Sequence, residues 1–314
     1  MTATIARDGA PPATASKRRG PARTPHRVPA RRRRTPRQLV QRALLTLAGL
    51  VVVVCSAFPV YWMVSTSLLP NRVIRSTEPT FVPLDGSFDN YGRILEGGGQ
   101  FPFTQALQTS LTVTGLTVAC ALVIALMAAL AVTRFSFLGR RGFLLVILGV
   151  QMIPGEAMMI SLFQLLDGAE LTNTVLGLTA VYVATVLPFT IWMLRGFVAG
   201  IPVELEEAAM IDGCSRFRSF RSITLPLIGP GLVATGVFAL IQAWNEFVIA
   251  LVLMNRPDHL TLPVWLRSFK QVNSGTDWGA IMAGSTLMTI PVIVFFLLVQ
   301  RRMASGLVSG AVKG

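Results

Sequence analysis

The sequence has 314 residues, of which 52% are hydrophobic and 14% are charged, and its mean hydropathy is +0.60. This composition excludes an ordinary soluble globular protein and indicates an integral membrane protein. The formal net charge of +13 would suit a nucleic-acid-binding protein, but residues 1–42 hold twelve Lys/Arg and one Asp, a net charge of +11. The basic charge is therefore concentrated in one terminal segment.

Residues 1–42 are rich in Pro, Ala and Arg and poor in large apolar side chains. Because such a segment has too little apolar surface to pack, the sequence predicts a disordered tail and not a basic folded surface. We expect this tail to lie in the cytoplasm, where it favours anionic membrane lipid and fixes the topology. Nucleic-acid binding is a minor alternative, and we expect no nucleic-acid partner.

Six apolar segments follow, each close to the ~20 residues that cross the hydrocarbon core of a bilayer. We therefore expect an all-α membrane protein with six transmembrane helices in one domain over residues 43–314. An additional short helix is predicted over Phe88–Leu95, in the outer loop. The predicted spans are residues 43–68, 107–133, 143–166, 174–195, 229–254 and 279–300.

Basic residues flank alternate ends of these spans, and the intervening loops are mixed or acidic. Lys and Arg accumulate in cytoplasmic loops, so both termini and residues 200–228 are predicted to be cytoplasmic. Besides the tail, the basic flanks are Arg134, Arg140, Arg141, Arg195, Arg216, Arg218, Arg221, Arg301 and Arg302.

Several prolines within the spans, including Pro154, indicate kinks or breaks that neighbouring helices can accommodate. Glu156 follows Pro154 in the outer half of the third span. A carboxylate at membrane depth is costly and usually faces protein or water, so Glu156 is a candidate functional residue. A local cap on a broken helix is an equally good interpretation of Glu156.

The long polar stretch Pro202–Pro226 separates the fourth and fifth spans. Its first half is predicted to be a short helix, because Pro202 suits a first helical position and Gly213 suits a left-handed residue beyond the end. Carboxylates in the first turns complement the helix dipole, and one face carries small side chains that let another protein approach closely. The carboxylates are Glu204, Glu206 and Glu207, and the face consists of Leu205, Ala208, Ala209 and Asp212.

The second half of this stretch alternates apolar and basic residues. Its pattern is typical of an interfacial helix whose arginines reach phosphates, and we expect it to end at Leu225-Pro226. The apolar side consists of Phe217, Phe220 and Ile223, with Arg216, Arg218 and Arg221 between them.

Gln242, Asn245 and Glu246 lie at i, i+3 and i+4 of the fifth span and form one polar stripe. At a rise of ~1.5 Å per residue, Glu246 is nearer the outer face of the membrane. The stripe either lines a transport pathway or its gate, or forms hydrogen bonds to a neighbouring subunit. We slightly favour the pathway.

The spacing within Pro202–Pro226 resembles the EAA loop of permease subunits in binding-protein-dependent ABC importers. The match consists of Glu207-Ala208-Ala209, then Gly213 after three residues, then Ile223-Thr224-Leu225-Pro226 after nine. The resemblance implies a type I importer permease fold in the bacterial inner membrane, with residues 200–228, hereafter the EAA loop, containing a helix that couples to an ATPase. The coupling residues that it implies are Glu207, Ala208, Ala209, Asp212 and Gly213.

Further motifs are similar to those of the carbohydrate-uptake branch, and especially of its maltose-system permease. They are Trp244-Asn245-Glu246-Phe247, Asn173-Thr174, Ile211-Asp212-Gly213 and the ending Gly310-Ala311-Val312-Lys313-Gly314. This resemblance implies inward transport of a carbohydrate, by alternating access and with ATP hydrolysed in a separate subunit. It also implies three partners: a second homologous permease, an ATPase dimer and an extracytoplasmic sugar-binding protein.

An enzymatic function is not supported by the residue inventory. The chain has two His, no Gly-x-Ser-x-Gly motif and no Gly-Lys-Ser/Thr motif, so it lacks a nucleophile elbow and a Walker A loop. We expect no metal site and no cofactor on this chain, with ATP bound by the partner. A stand-alone secondary transporter or channel is the alternative, but it leaves the EAA spacing unexplained.

Overall fold

A computed structural model of the protein describes residues 36–96, 101–271 and 275–311. The chain divides into two compact units, Met1–Cys55 and Ser56–Gly314. Helix α1 begins at Pro36, so residues 36–42 of the predicted disordered tail are helical. The rest of that tail and the last three residues of the chain lie outside the described residues.

The described residues are almost entirely helical. The first helices are α1 (Pro36–Ser67), α2 (Asn71–Ile74), α3 (Asp89–Leu95), α4 (Phe103–Arg134), α5 (Arg140–Gln151) and α6 (Met159–Gly168). They are followed by α7 (Val175–Ala199), α8 (Glu204–Ile211), α9 (Arg216–Ser219), α10 (Leu225–Asn245), α11 (Val248–Leu253), α12 (Leu262–Arg267) and α13 (Trp278–Ala311). A two-stranded antiparallel ladder pairs β1 (Lys270–Gln271) with β2 (Gly275–Thr276).

Five helical segments of the described chain are long and apolar enough to cross a membrane, and a bent pair of helices can form a sixth span. The predicted all-α class is confirmed, and α3 matches the short helix predicted at Phe88–Leu95. The five segments are Val40–Ser67, Phe103–Arg134, Val175–Ala199, Arg216–Asn245 and Trp278–Gln300.

The third predicted span is not one helix. Helix α5 ends at Gln151, a 3-10 turn covers Gly155–Met158, and α6 leaves at an angle of 86° to α5. Pro154 lies at the break, where its ring disfavours a helical conformation for the preceding residue. Glu156 lies in the 3-10 turn and is exposed.

Helix α4 packs along α7 and α10 through a face of small side chains. Ala121, Ala125 and Ala129 recur every fourth residue, so they lie on one face, and all three are fully buried. Small side chains let helix backbones approach closely, and this packing holds membrane helices together where lipid offers no hydrophobic drive. The same face ends near Arg134, at the end of the bundle that carries the EAA loop.

The second half of the EAA loop was predicted to end at Leu225-Pro226, and this prediction is wrong. Helix α9 continues through a π-helical turn, Phe220–Thr224, directly into α10. A proline inside an α-helix clashes with the carbonyl four residues earlier and removes a donor. The wider π turn just before Pro226 accommodates both effects, so the span extends without interruption from the loop.

Polar side chains fasten the start of α13 to the segment after α1. The Asp277 carboxylate accepts hydrogen bonds from Asn71 (2.6 Å) and from the backbone N–H of Ala280 (3.0 Å), and Arg93 forms an ion pair with it at 2.9 Å. Buried Asn90 donates to the carbonyls of Ser67 and Leu69 at 2.7 and 2.9 Å. These contacts cap α13 and tie it to the end of α1.

Gly279 permits this arrangement, because a Cβ atom there would lie 2.6 Å from the Asn90 side chain.

The partial burial of Asp277 tends to raise the pKa of its carboxyl. The hydrogen bonds from Ala280 and Asn71 and the charge of Arg93 outweigh that effect and leave the pKa below its usual value. The carboxylate is therefore held in its charged form.

We expect Asp277→Ala to lower the free energy of unfolding by about 1 kcal/mol at neutral pH, because α13 loses its cap. Since the native pKa of Asp277 is depressed, its contribution is present above the unfolded pKa of ~3.9 and is lost as the pH falls through the native pKa. On acidification below about pH 4, the melting temperature of wild type should therefore fall more steeply than that of Asp277→Asn. Asp85→Asn, at an exposed position between α2 and α3, is the control, and equal slopes for wild type and Asp277→Asn would contradict this assignment.

Candidate functional site

The EAA loop forms a compact helix–turn–helix unit beside the ends of α4 and α7. Helix α8 ends at Ile211, and Gly213 has φ +89°, the left-handed conformation that favours glycine. The N–H of Cys214 then donates to the carbonyl of Ala209 at 3.0 Å. Ser215 caps α9 by accepting from the N–H of Arg218. The predicted left-handed turn at Gly213 is confirmed.

The surface of α8 combines charged and apolar groups. Glu207, Ala208 and Asp212 are exposed, whereas Ala209 is 8% exposed and is the buried residue of this helix. The predicted face of Leu205, Ala208, Ala209 and Asp212 is therefore not uniform, because Ala209 packs within the loop. Exposed apolar side chains at Leu205, Ile211 and Phe217 accompany the charged ones.

Glu206 fixes this unit to the transmembrane helices. Its Oε1 accepts hydrogen bonds from the Nε of Arg134 at 2.9 Å and from the Thr224 hydroxyl at 2.8 Å. The Arg134 guanidinium also donates to the carbonyl of Ile201 at 3.1 Å. The Arg134 and Glu206 side chains are only 11% and 20% exposed. One carboxylate thus links α8 to the end of α4 and to the π turn before α10.

The Glu206 backbone takes part as well, because its carbonyl accepts from the hydroxyl of buried Ser219 on α9. Sequence reasoning missed Arg134, Glu206 and Thr224 as partners. It treated Glu206 only as a helix-dipole residue and Arg134 only as a topology signal. The pairing spans 72 positions, and no local pattern in a single sequence indicates such a contact.

At the far end of the fifth span, Glu246 lies in a break between α10 and α11. Its carboxylate accepts from the N–H groups of Ile249 and Ala250 at 2.8 and 3.0 Å and from the Tyr182 hydroxyl at 2.7 Å. It therefore caps α11 and ties it to α7. The three donors satisfy a charge that is costly at membrane depth.

The predicted stripe of Gln242, Asn245 and Glu246 is not continuous. Helix α10 ends at Asn245, and Glu246 is extended, with ψ 126°. Gln242 and Asn245 remain exposed on α10, and Asn245 donates back to the carbonyl of Ile241. The structure therefore separates two exposed amides from a carboxylate that is directed at α7 and α11.

The Asn173-Thr174 pair forms structural hydrogen bonds at the same end of the spans as Glu246. The Asn173 side-chain oxygen accepts from the N–H groups of Asn255 and Arg256 at 2.6 and 2.7 Å, and Thr174 caps α7 by accepting from Gly177. These bonds fasten the α6–α7 connection to the chain after α11. Among the described residues, no group of three His, Cys, Asp or Glu side chains is placed to hold a metal ion.

Comparison with known proteins adds an independent line of evidence. Residues 96–308 match the profile of the family described as "Binding-protein-dependent transport system inner membrane component". The chain is 42% identical over 278 residues to the diacetylchitobiose uptake system permease protein DasC of Streptomyces coelicolor, covering 88% of this chain and 99% of that protein. It is 33% identical to the trehalose/maltose transport system permease protein MalG of Thermococcus litoralis, with the same two coverages.

Among solved structures, the fold is similar to a chain of a bacterial ABC transporter involved in the import of the acidic polysaccharide alginate. The TM-score is 0.72 at 21% sequence identity, over 86% of this chain and 98% of that chain. The architecture is therefore that of a type I importer permease.

Removing either partner of the Arg134–Glu206 pair should lower the free energy of unfolding by about 1 to 3 kcal/mol, because a largely buried charge loses its charged hydrogen bond. Arg134→Gln and Glu206→Gln should therefore each lower the melting temperature of the purified protein. The reversed pair, Arg134→Glu with Glu206→Arg, should recover part of this loss. Glu207→Gln, at an exposed carboxylate, is the matched control. If the double variant Arg134→Gln with Glu206→Gln lost the exact sum of the two single losses, a direct interaction would be contradicted.

Glu246→Gln should destabilise the break between α10 and α11, because its amide NH2 group faces hydrogen-bond donors. We expect a loss of about 1 to 3 kcal/mol, with altered uptake kinetics and retained assembly. Tyr182→Phe removes one donor and should cost less. Wild-type stability and wild-type kinetics in Glu246→Gln would refute the role of this carboxylate.

Proposed function

Because the chain belongs to the family of inner-membrane components of binding-protein-dependent transport systems, we propose that it is the permease subunit of an ABC importer that carries carbohydrate into the cell. The family consists of transporters and not enzymes, and the chain is accordingly a multi-pass inner-membrane protein. The carbohydrate class is supported by the relatives named for diacetylchitobiose and for trehalose and maltose uptake. The observation that carries the proposal is the complete EAA spacing, located on an exposed helix at one end of the spans.

The proposed assembly has several parts. A second homologous permease completes the pathway, an extracytoplasmic sugar-binding protein delivers the substrate, and an ATPase dimer supplies the energy. The sequence has no Gly-Lys-Ser/Thr motif, so ATP belongs to the ATPase subunits. Alternating access then moves the sugar inward, and an oligosaccharide is the expected cargo.

The proposed orientation places both termini and the EAA loop in the cytoplasm. Support comes from the basic residues at the same end of the bundle, where Arg134, Arg140 and Arg195 all lie near the EAA loop. An ATPase in the cytoplasm then meets α8 directly.

In this assembly, Glu207, Ala208 and Asp212 contact the ATPase from the exposed side of α8. Ala208 permits close approach, and Glu207 supplies a charged hydrogen bond. Ala209 and Gly213 act one step further back, because Ala209 packs inside the loop and Gly213 turns the backbone. Leu205 and Ile211 add exposed apolar area that an ATPase cleft would cover.

On the pathway, exposed Gln242 and Asn245 are the candidates for contact with substrate or with the second permease. Glu246 acts at the gate by holding the break between α10 and α11. A stand-alone transporter or channel is less well supported, because it gives α8 and its exposed apolar residues no partner.

Cells that carry the complete system should import labelled oligosaccharides, and cells that lack this chain should not. Ala208→Trp adds bulk where close packing is needed, and Gly213→Pro is incompatible with φ +89°. Both variants should therefore insert at normal levels but lose uptake and ATPase association by about tenfold or more, as loss of a central contact would produce.

Ala169→Trp, which adds the same bulk at an exposed residue of the predicted outer loop between α6 and α7, is the control and should transport normally. Full uptake by Ala208→Trp and Gly213→Pro at matched protein level would refute the coupling role of α8.

A further inference from the structure

Three arginines converge on a recess beside the EAA loop. The recess has a volume of about 340 Å³, and its lining includes Arg134, Arg140, Arg195, Thr133 and Glu204. Arg134 is already paired with Glu206. Within the part of the chain that the structure describes, neither Arg140 nor Arg195 forms an ion pair. The recess therefore carries net positive charge that this chain does not neutralise.

Arg195 is the least satisfied of the three arginines. Its Nε is buried and has no hydrogen-bond partner within the described residues, and buried polar groups of native proteins are nearly always bonded. Its guanidinium carbon lies 5.1 Å from the centre of the Trp192 ring, so a cation–π contact orients the group. Because Arg195 lines the recess, a guanidinium held in this way suits an oxyanion that accepts from its planar fork of N–H groups.

Arg140 is in an equally unfavourable position. It is the first residue of α5, where the positive end of the helix dipole disfavours a cation and favours an anion. If these arginines served only to orient the protein in the membrane, they would need only to lie near the ends of the spans. Such a role does not require that an arginine with a buried, unpartnered Nε and an arginine at a helix N-terminus line the same recess.

The surroundings of the recess favour one class of anion. The connection between α4 and α5 exposes three apolar side chains next to the recess, namely Phe135, Phe137 and Leu138, and the last of these is fully exposed. Apolar residues beside arginines at the ends of membrane helices are typical of a segment at the headgroup level. A ligand with a phosphate and apolar tails matches both parts of this surface.

We propose that this recess binds the phosphate group of an anionic phospholipid in the cytoplasmic leaflet, with Arg195 and Arg140 as its principal ligands. This inference rests on the proposed function, because the proposed orientation puts this end of the spans in that leaflet. Basic pockets between helices on the cytoplasmic side are known to bind such headgroups. Since Arg134 lines the recess and also holds Glu206, the lipid lies directly beside the contact that fixes the EAA loop.

The test uses the intact transporter, purified with its partner permease and ATPase, and nanodiscs that contain either phosphatidylcholine alone or phosphatidylcholine with phosphatidylglycerol. Native mass spectrometry counts the phosphatidylglycerol retained by the complex. Arg195→Gln and Arg140→Gln should each weaken retention by about tenfold or more, as loss of a charged hydrogen bond would. Arg141→Gln removes the same charge at the next residue, which is exposed and outside the recess lining, and should retain the lipid.

Further arms separate the alternatives. Arg195→Lys keeps the charge but not the planar fork, so it should retain an intermediate amount of lipid. Equal retention by wild type, Arg195→Gln and Arg140→Gln would overturn the proposal. Displacement of the lipid by inorganic phosphate alone would also overturn it, since the site would then take a free anion.

Loss of ATPase from Arg195→Gln with unchanged lipid retention would overturn the proposal too, because the arginine would then belong to the protein interface. The lipid count does not depend on sugar import. A negative result therefore leaves the function of the EAA loop to be decided by uptake and ATPase association in the Ala208→Trp variant.

Discussion

The lipid interior offers no hydrogen bonds to an exposed backbone, and this constraint shapes the whole chain. Long helices satisfy it directly, so the departures from helix are informative. Where the fifth span breaks, Glu246 accepts two backbone N–H groups and the Tyr182 hydroxyl. Where α10 begins with Leu225-Pro226, a π-helical turn accommodates the backbone hydrogen bond that the proline cannot donate. Each irregularity is held by a specific group and therefore has a defined geometry.

The same constraint keeps the long spans helical, and specific contacts join the EAA loop to them. The EAA loop continues directly into α10, and Glu206 ties α8 to Arg134 at the end of α4. Because α4 packs along α7 through buried alanines, the proposed coupling would deliver a displacement of α8 to several spans at once. In the proposed transporter, the exposed surface of α8 would receive the force from the ATPase, and the partly buried Glu206 would pass it on to α4. These are separate tasks on adjacent residues.

The sequence predicted the class of the fold, the approximate spans and the turn at Gly213, because hydropathy and glycine chemistry are local properties. It did not predict the Arg134–Glu206 pair, since that contact depends on how distant helices meet. It also assigned Glu246 to a continuous stripe, because helical periodicity assumes that the helix does not break. Helical periodicity also placed Ala209 on the predicted contact face of α8. Periodicity cannot show which methyl group is buried, because that depends on packing against the rest of the loop.

The most direct test of the central claim is a site-specific photo-crosslink from α8 to the ATPase in the assembled transporter. A photoreactive amino acid at Ile211, which is 86% exposed, should crosslink to the ATPase subunit. The same amino acid at Leu84, which is 89% exposed in the loop between α2 and α3, should not. A crosslink from Leu84, or none from Ile211 in a complex that imports sugar, would contradict the account.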